Sequence, residues 1–143
     1  MKPFRSPGTW CVLASGLVLA TLATAPARGE TAHVLYMLQC QGCHLPDGSG
    51  QAGSVPSLRG SIARFLALPD GRAYLVQVPG SASSRLSDAE LAAVLNWMAQ
   101  AFGPAAAAAA AVPYTEAEVA AHRRTPLDDV APARAALLER MGP

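Results

Sequence analysis

The chain has 143 residues, 51% of them hydrophobic and 15% charged, too apolar for a disordered polypeptide and about the length of one domain with an addition. Its formal net charge is +1 and its only lysine is Lys2, so it lacks the broad basic face that non-specific nucleic-acid binding requires, and no nucleic acid is expected as a partner. Three cysteines are too few for a dense disulfide framework: Cys40 and Cys43 lie three apart, and Cys11 stands alone in an apolar run.

Lys2 and Arg5 precede an apolar run from Trp10 to Ala25, and Ala25-Pro26-Ala27 then places small residues at the two positions a signal peptidase reads. This pattern predicts an export signal over 1–27, cleaved after Ala27 and taking Cys11 with it. The run is shorter than the roughly 20 residues that cross a bilayer. No later stretch is longer, so no membrane span is expected after cleavage.

Beyond the signal, Val34, Leu35 and Leu38 fall at helical spacing between Thr31 and Gln39, predicting a short helix that ends at the cysteines. Residues 45–60 are rich in Gly, Pro and Ser and read as an irregular loop. Two brief helices are expected over 61–68 and 71–78, then a Gly/Ser loop from Pro79 to Leu86. Ser87-Asp88-Ala89-Glu90 is a capping box, and Leu91, Val94, Leu95, Met98 and Phe102 mark one helical stripe until Gly103-Pro104 stops it. Residues 105–111 are all alanine, a helical spacer or a flexible linker by composition. In the tail, Thr115 to Glu118 repeats the capping pattern, and Leu127, Val130, Leu137, Leu138 and Met141 form a second stripe. Pro132 interrupts that stripe unless it lies in a first turn capped by Asp128 or Asp129. No strand pattern is visible.

Cys40-Gln41-Gly42-Cys43-His44 is a C-x-x-C-H sequence, the spacing that attaches haem covalently: two thiols add to the porphyrin vinyl groups and the adjacent histidine becomes an axial iron ligand. Two intervening residues let both thiols reach neighbouring vinyls from one turn of chain. The rival readings fit less well. A thioredoxin-like dithiol opens a helix after a strand, whereas this pair closes a helix. Zinc would need two further ligands, and besides His44 the chain has only His33 and His122.

From Ala32 to Phe102 the chain resembles the class I, mitochondrial-like c-type cytochromes, which include many bacterial periplasmic proteins. Tyr36 stands where that family has an aromatic one turn before the first cysteine, Pro56-Ser57-Leu58-Arg59-Gly60 matches its Pro-x-Leu-x-Gly, and Trp97 fits the aromatic of its last helix. The resemblance implies an all-α fold of three to five short helices around one covalently attached haem c. It implies that the Pro56 carbonyl accepts from His44 Nδ1 and that Leu58 packs on the ring. The expected organisation is a signal peptide (1–27), a haem domain (28–104), an Ala-rich linker (105–113) and a helical tail (114–143) outside the resemblance. That tail packs either on the haem domain or on a partner.

The family usually draws its second axial ligand, a methionine, from the loop before the last helix. Here Pro79 to Leu86 contains neither methionine nor histidine. Met98 is read as core, with sixth ligand as the alternative; Met37 is read as core, and His33 and His122 as surface residues. The functional expectation is a periplasmic electron carrier between an exported dehydrogenase and an oxidase or another cytochrome in the respiratory chain, and not an enzyme. The alternative is a five-coordinate haem that binds or reacts with a small molecule. No paired carboxylates, nucleophile elbow or phosphate loop supports other chemistry.

Overall fold

The computed structural model describes residues 31–142; the expected signal peptide and its cleavage site lie outside them. The described residues form nine helices: α1 (Ala32–Gln39), α2 (Gln41–His44), α3 (Ile62–Leu66), α4 (Pro69–Gln77), α5 (Pro79–Ala82), α6 (Asp88–Phe102), α7 (Ala105–Ala110), α8 (Glu116–Arg123) and α9 (Val130–Met141). The expected all-α class holds. One isolated bridge, Gln51 with Val55, is the only extended pairing among the described residues.

Local chemistry sets most of the boundaries. Thr31 caps α1 by accepting from the Val34 amide, and Ser87 and Glu90 cap α6 reciprocally, satisfying amides that the first helical turn leaves without partners. Asp129 accepts from the Ala131 amide at 3.1 Å, so Pro132 does sit in the first turn of α9. The Pro79–Leu86 segment is less irregular than its composition predicts: Pro79, with its preset φ, begins the single turn α5. The alanine run is helical over Ala105–Ala110.

α6 is the central element. Its stripe buries Leu91, Val94, Leu95 and Met98, and α1 crosses it through an aromatic cluster. Tyr36, fully buried, lies 5.0 Å from Trp97 and 5.3 Å from Phe102, and those two rings meet edge to face. α3 and α4 close a second side, and they meet so tightly that a Cβ at Gly71 would overlap the Phe65 carbonyl.

The tail packs on the rest of the chain. α8 lies against α6 and α4, burying Val119 completely. Just before it, Tyr114 exchanges two hydrogen bonds with the Asn96 side chain, at 2.7 and 3.1 Å, and its hydroxyl donates to the Arg72 carbonyl. Arg72 grips both Glu118 oxygens at 2.6 Å and stacks over the Tyr114 ring. Leu137 of α9 is buried, whereas Leu138, also assigned to the apolar stripe, faces outward because one residue along a helix is a 100° rotation.

Candidate haem site

The C-x-x-C-H segment occupies the junction of two helices. Cys40 ends α1, its amide donating to the Tyr36 carbonyl, and the single turn α2 carries Cys43 and His44. The chain must then reverse: Leu45 takes a positive φ of 57°, unusual for a non-glycine residue. Tyr36 holds this reversal, its hydroxyl donating to the Leu45 carbonyl at 2.5 Å. A family aromatic was legible at this position; the anchoring of the backbone next to His44 was not, since it depends on a hydroxyl meeting a carbonyl nine residues away. Gly48, at φ 73°, lies against the Phe102 ring, and a Cβ there would stand 2.8 Å from it. The Gly48 carbonyl receives the Leu58 amide at 2.8 Å, bringing the Pro-x-Leu-x-Gly segment alongside the attachment motif.

These elements enclose a largely apolar cavity of about 410 Å³, within the range of small-molecule and cofactor pockets. Cys40, Cys43, His44, Pro56, Leu58 and Met98 all line it, so every residue singled out for cofactor or iron from sequence reaches one cavity. Leu58 and Met98 are buried, at 8% and 5% exposure. Among the described residues Met98 is the only methionine on the wall; Met37 is exposed. His33 stacks on Trp97, 4.9 Å between centroids, and neither it nor His122 lines the cavity.

Electrostatics distinguish the three motif side chains. Burial, with the neighbouring Cys43 thiol adding to it, pushes the Cys40 thiol up to about 11. Burial also lowers the His44 pKa and favours the neutral imidazole that can bind a metal, while the Pro56 backbone carbonyl acts in the opposite direction. His44 Nδ1 is buried and has no hydrogen bond of full geometry in the described structure, although the Pro56 carbonyl is close enough to be felt. Tyr36 is raised to about 12, first by burial and then by Cys40 and Asp47.

Two free thiols, a half-buried imidazole whose buried Nδ1 lacks a partner, and an apolar wall fit a flat apolar macrocycle attached by thioethers and ligated at its centre. Among the described residues no group of three or more His, Cys, Asp or Glu side chains could hold a bare metal ion.

The tail contributes to this site in a way the sequence did not reveal. Val130 and Arg134 of α9 lie on the cavity wall. Arg123 of α8 donates to the carbonyls of Ala82, Ser84 and Leu86 and to the Asp88 carboxylate, at 2.5 to 3.0 Å. It thereby ties down the segment from which the family usually supplies a methionine, and whose residues Pro79, Ser81 and Ser84 also face the cavity.

No family model matches the chain, and no solved structure matches it. Two curated relatives, both named cytochrome c-552 and both from Thermus thermophilus, are similar in sequence. One is 36% identical over 121 residues, covering 72% of this chain and 79% of the relative. The other is 37% identical over 99 residues, covering 57% and 76% respectively.

Proposed function

The chain belongs to the c-type cytochromes, and from that premise we propose that it is a periplasmic single-haem carrier taking electrons from an exported dehydrogenase and passing them to an oxidase or another cytochrome of the respiratory chain. Electron transfer and haem c follow from the family; the compartment, the partners and the residue roles are the proposal. Bound haem supplies reversible one-electron chemistry at iron.

The observation that carries the reading is the convergence of both thiols and His44 on one largely apolar cavity. Cys40 and Cys43 would hold the macrocycle through thioethers, and His44 would ligate iron. Cys43 is exposed, and Met37, Leu38 and Leu45, at 48%, 67% and 37% exposure, surround the motif in sequence. A redox partner that docks over the exposed Cys43 would exclude water beside the point of attachment. Leu58, Val94 and Leu95 line the cavity with apolar surface, keeping the local dielectric low. Export over 1–27 is supported by the charged, apolar and small-residue pattern, and among the described residues no helix is long and apolar enough to cross a membrane.

Met98 is the side chain that would supply a second iron ligand, being the one methionine on the wall among the described residues. A second reading, in which no side chain of this chain supplies a second ligand and the haem would be free to bind a small molecule, is favoured by the absence of methionine and histidine from Pro79 to Leu86. The test begins with haem staining of a denaturing gel: the exported protein should retain colour at a mass corresponding to residues 28–143. An uncoloured band from cells with a working maturation system refutes the attachment. Carbon monoxide then separates the readings. A weak band at the red edge of the oxidised spectrum that disappears in Met98→Leu, with no carbon monoxide binding by the reduced wild type, establishes the closed carrier. Ready binding of carbon monoxide with no such band establishes the open site.

A further inference from the structure

Among the residues lining the cavity, Arg134 is the only one with a permanently charged side chain. Arg59, Arg72, Arg123 and Arg140 each pair with a carboxylate, and Arg64 donates to the Met141 and Gly142 carbonyls. Arg134 has no ion pair or hydrogen bond among the described residues, and its guanidinium carbon stands 5.7 Å from the centroid of the Phe65 ring, itself on the cavity wall. Its charge also opposes the upward push of burial on the Tyr74 hydroxyl, another wall residue.

A haem carries two carboxylates, and an apolar wall is a poor environment for an unpaired carboxylate. A guanidinium fork matches a carboxylate in bidentate geometry. We propose that Arg134, placed on the cavity wall by α9, is the cationic partner of a haem propionate, so that the C-terminal tail helps to set the reduction potential. This rests on the haem reading above. Elsewhere around α9, the ionisable groups are Asp128 and the capping Asp129 at its start, Asp70 paired with Arg140, Arg72 paired with Glu118, Arg64, Tyr74 and the helix's own Glu139, with His44 on the same cavity wall.

The test measures reduction potential against pH for holoprotein whose covalent haem has first been confirmed by gel staining. Arg134→Gln removes a positive charge facing the macrocycle, so the oxidised form should be favoured about tenfold, a fall of about 59 mV for one electron. The rise in potential on the acid side should also move to higher pH, because a propionate without its partner binds a proton more readily. Arg134→Lys should restore most of both effects. Arg124→Gln makes the same change in net charge on an exposed residue that does not line the cavity, and should do neither.

A wild-type potential and pH profile in Arg134→Gln, or an equal shift in Arg124→Gln, overturns the proposal. So does a tenfold loss of azide affinity in oxidised Arg134→Gln at unchanged potential, which assigns the guanidinium to a small anion entering the cavity. If Arg134→Gln does not accumulate, Arg134→Lys carries the test: its potential must stay within about twofold of wild type in redox equilibrium while the propionate bending mode in resonance Raman shifts, and an unshifted mode overturns the assignment. Absence of covalent haem from every variant and from the wild type refutes the haem reading itself, and the proposal with it.

Discussion

Val119→Ala tests whether the tail belongs to the cooperative fold. Val119 is fully buried where α8 packs on α6 and α4, and the substitution deletes two methyl groups. At about 0.8 kcal/mol each, the lost transfer energy is about 1.6 kcal/mol. The space left behind raises the cost to about 2–3 kcal/mol, because the surrounding helices relax only in part. The matched control is Val112→Ala, the same chemistry at a side chain that is 73% exposed, where the change should stay within a few tenths of a kcal/mol. Thermal unfolding of the holoprotein, followed at the Soret band, should show a midpoint lower by roughly 8–15 °C for Val119→Ala and unchanged for Val112→Ala. Equal midpoints for the two variants would mean that α8 unfolds separately and that the haem-binding helices do not depend on it.

His44→Ala should abolish stable holoprotein, whereas His33→Ala and His122→Ala should leave the visible spectrum unchanged, since neither lines the cavity; a Soret shift in either would identify it as a ligand. Gly71→Ala should destabilise despite alanine's better helix propensity, because the new Cβ overlaps the Phe65 carbonyl. A chemical-denaturation midpoint at or above wild type would contradict that packing. Glu118 is held below the ordinary carboxylate range chiefly by its hydrogen bonds from Arg72, with burial opposing. Its contribution to stability is therefore complete above the unfolded carboxylate pKa of about 4.3 and fades as pH falls through the lower folded value. Glu118→Gln should remove that part of the acid dependence, and wild-type and variant stability curves that stay parallel from neutral pH to acid would show that the pair contributes nothing.

How much was legible differs between motif and tail. The attachment segment could be read because its signal is local: two thiols and an imidazole within five residues leave little freedom in what they hold, and the capping box at Ser87 and the simple cap at Thr115 are likewise short-range hydrogen bonds between residues three apart. The stripe on α6 followed from helical periodicity. Sequence alone thus determined the helical class, the cofactor expectation and most helix starts. Tertiary structure decided what lies across the cavity from these elements. Arg134 and Leu138 are both on α9, yet one lines the cavity and the other faces solvent, a difference set by how α9 lies against α4. Arg123 reaches carbonyls 37 to 41 residues away, and Val119 is the only apolar side chain of α8 larger than alanine, so no periodic stripe announced it. Contacts between residues so distant in sequence leave no mark on local composition or periodicity. They form only when the tail closes over the helices that precede it.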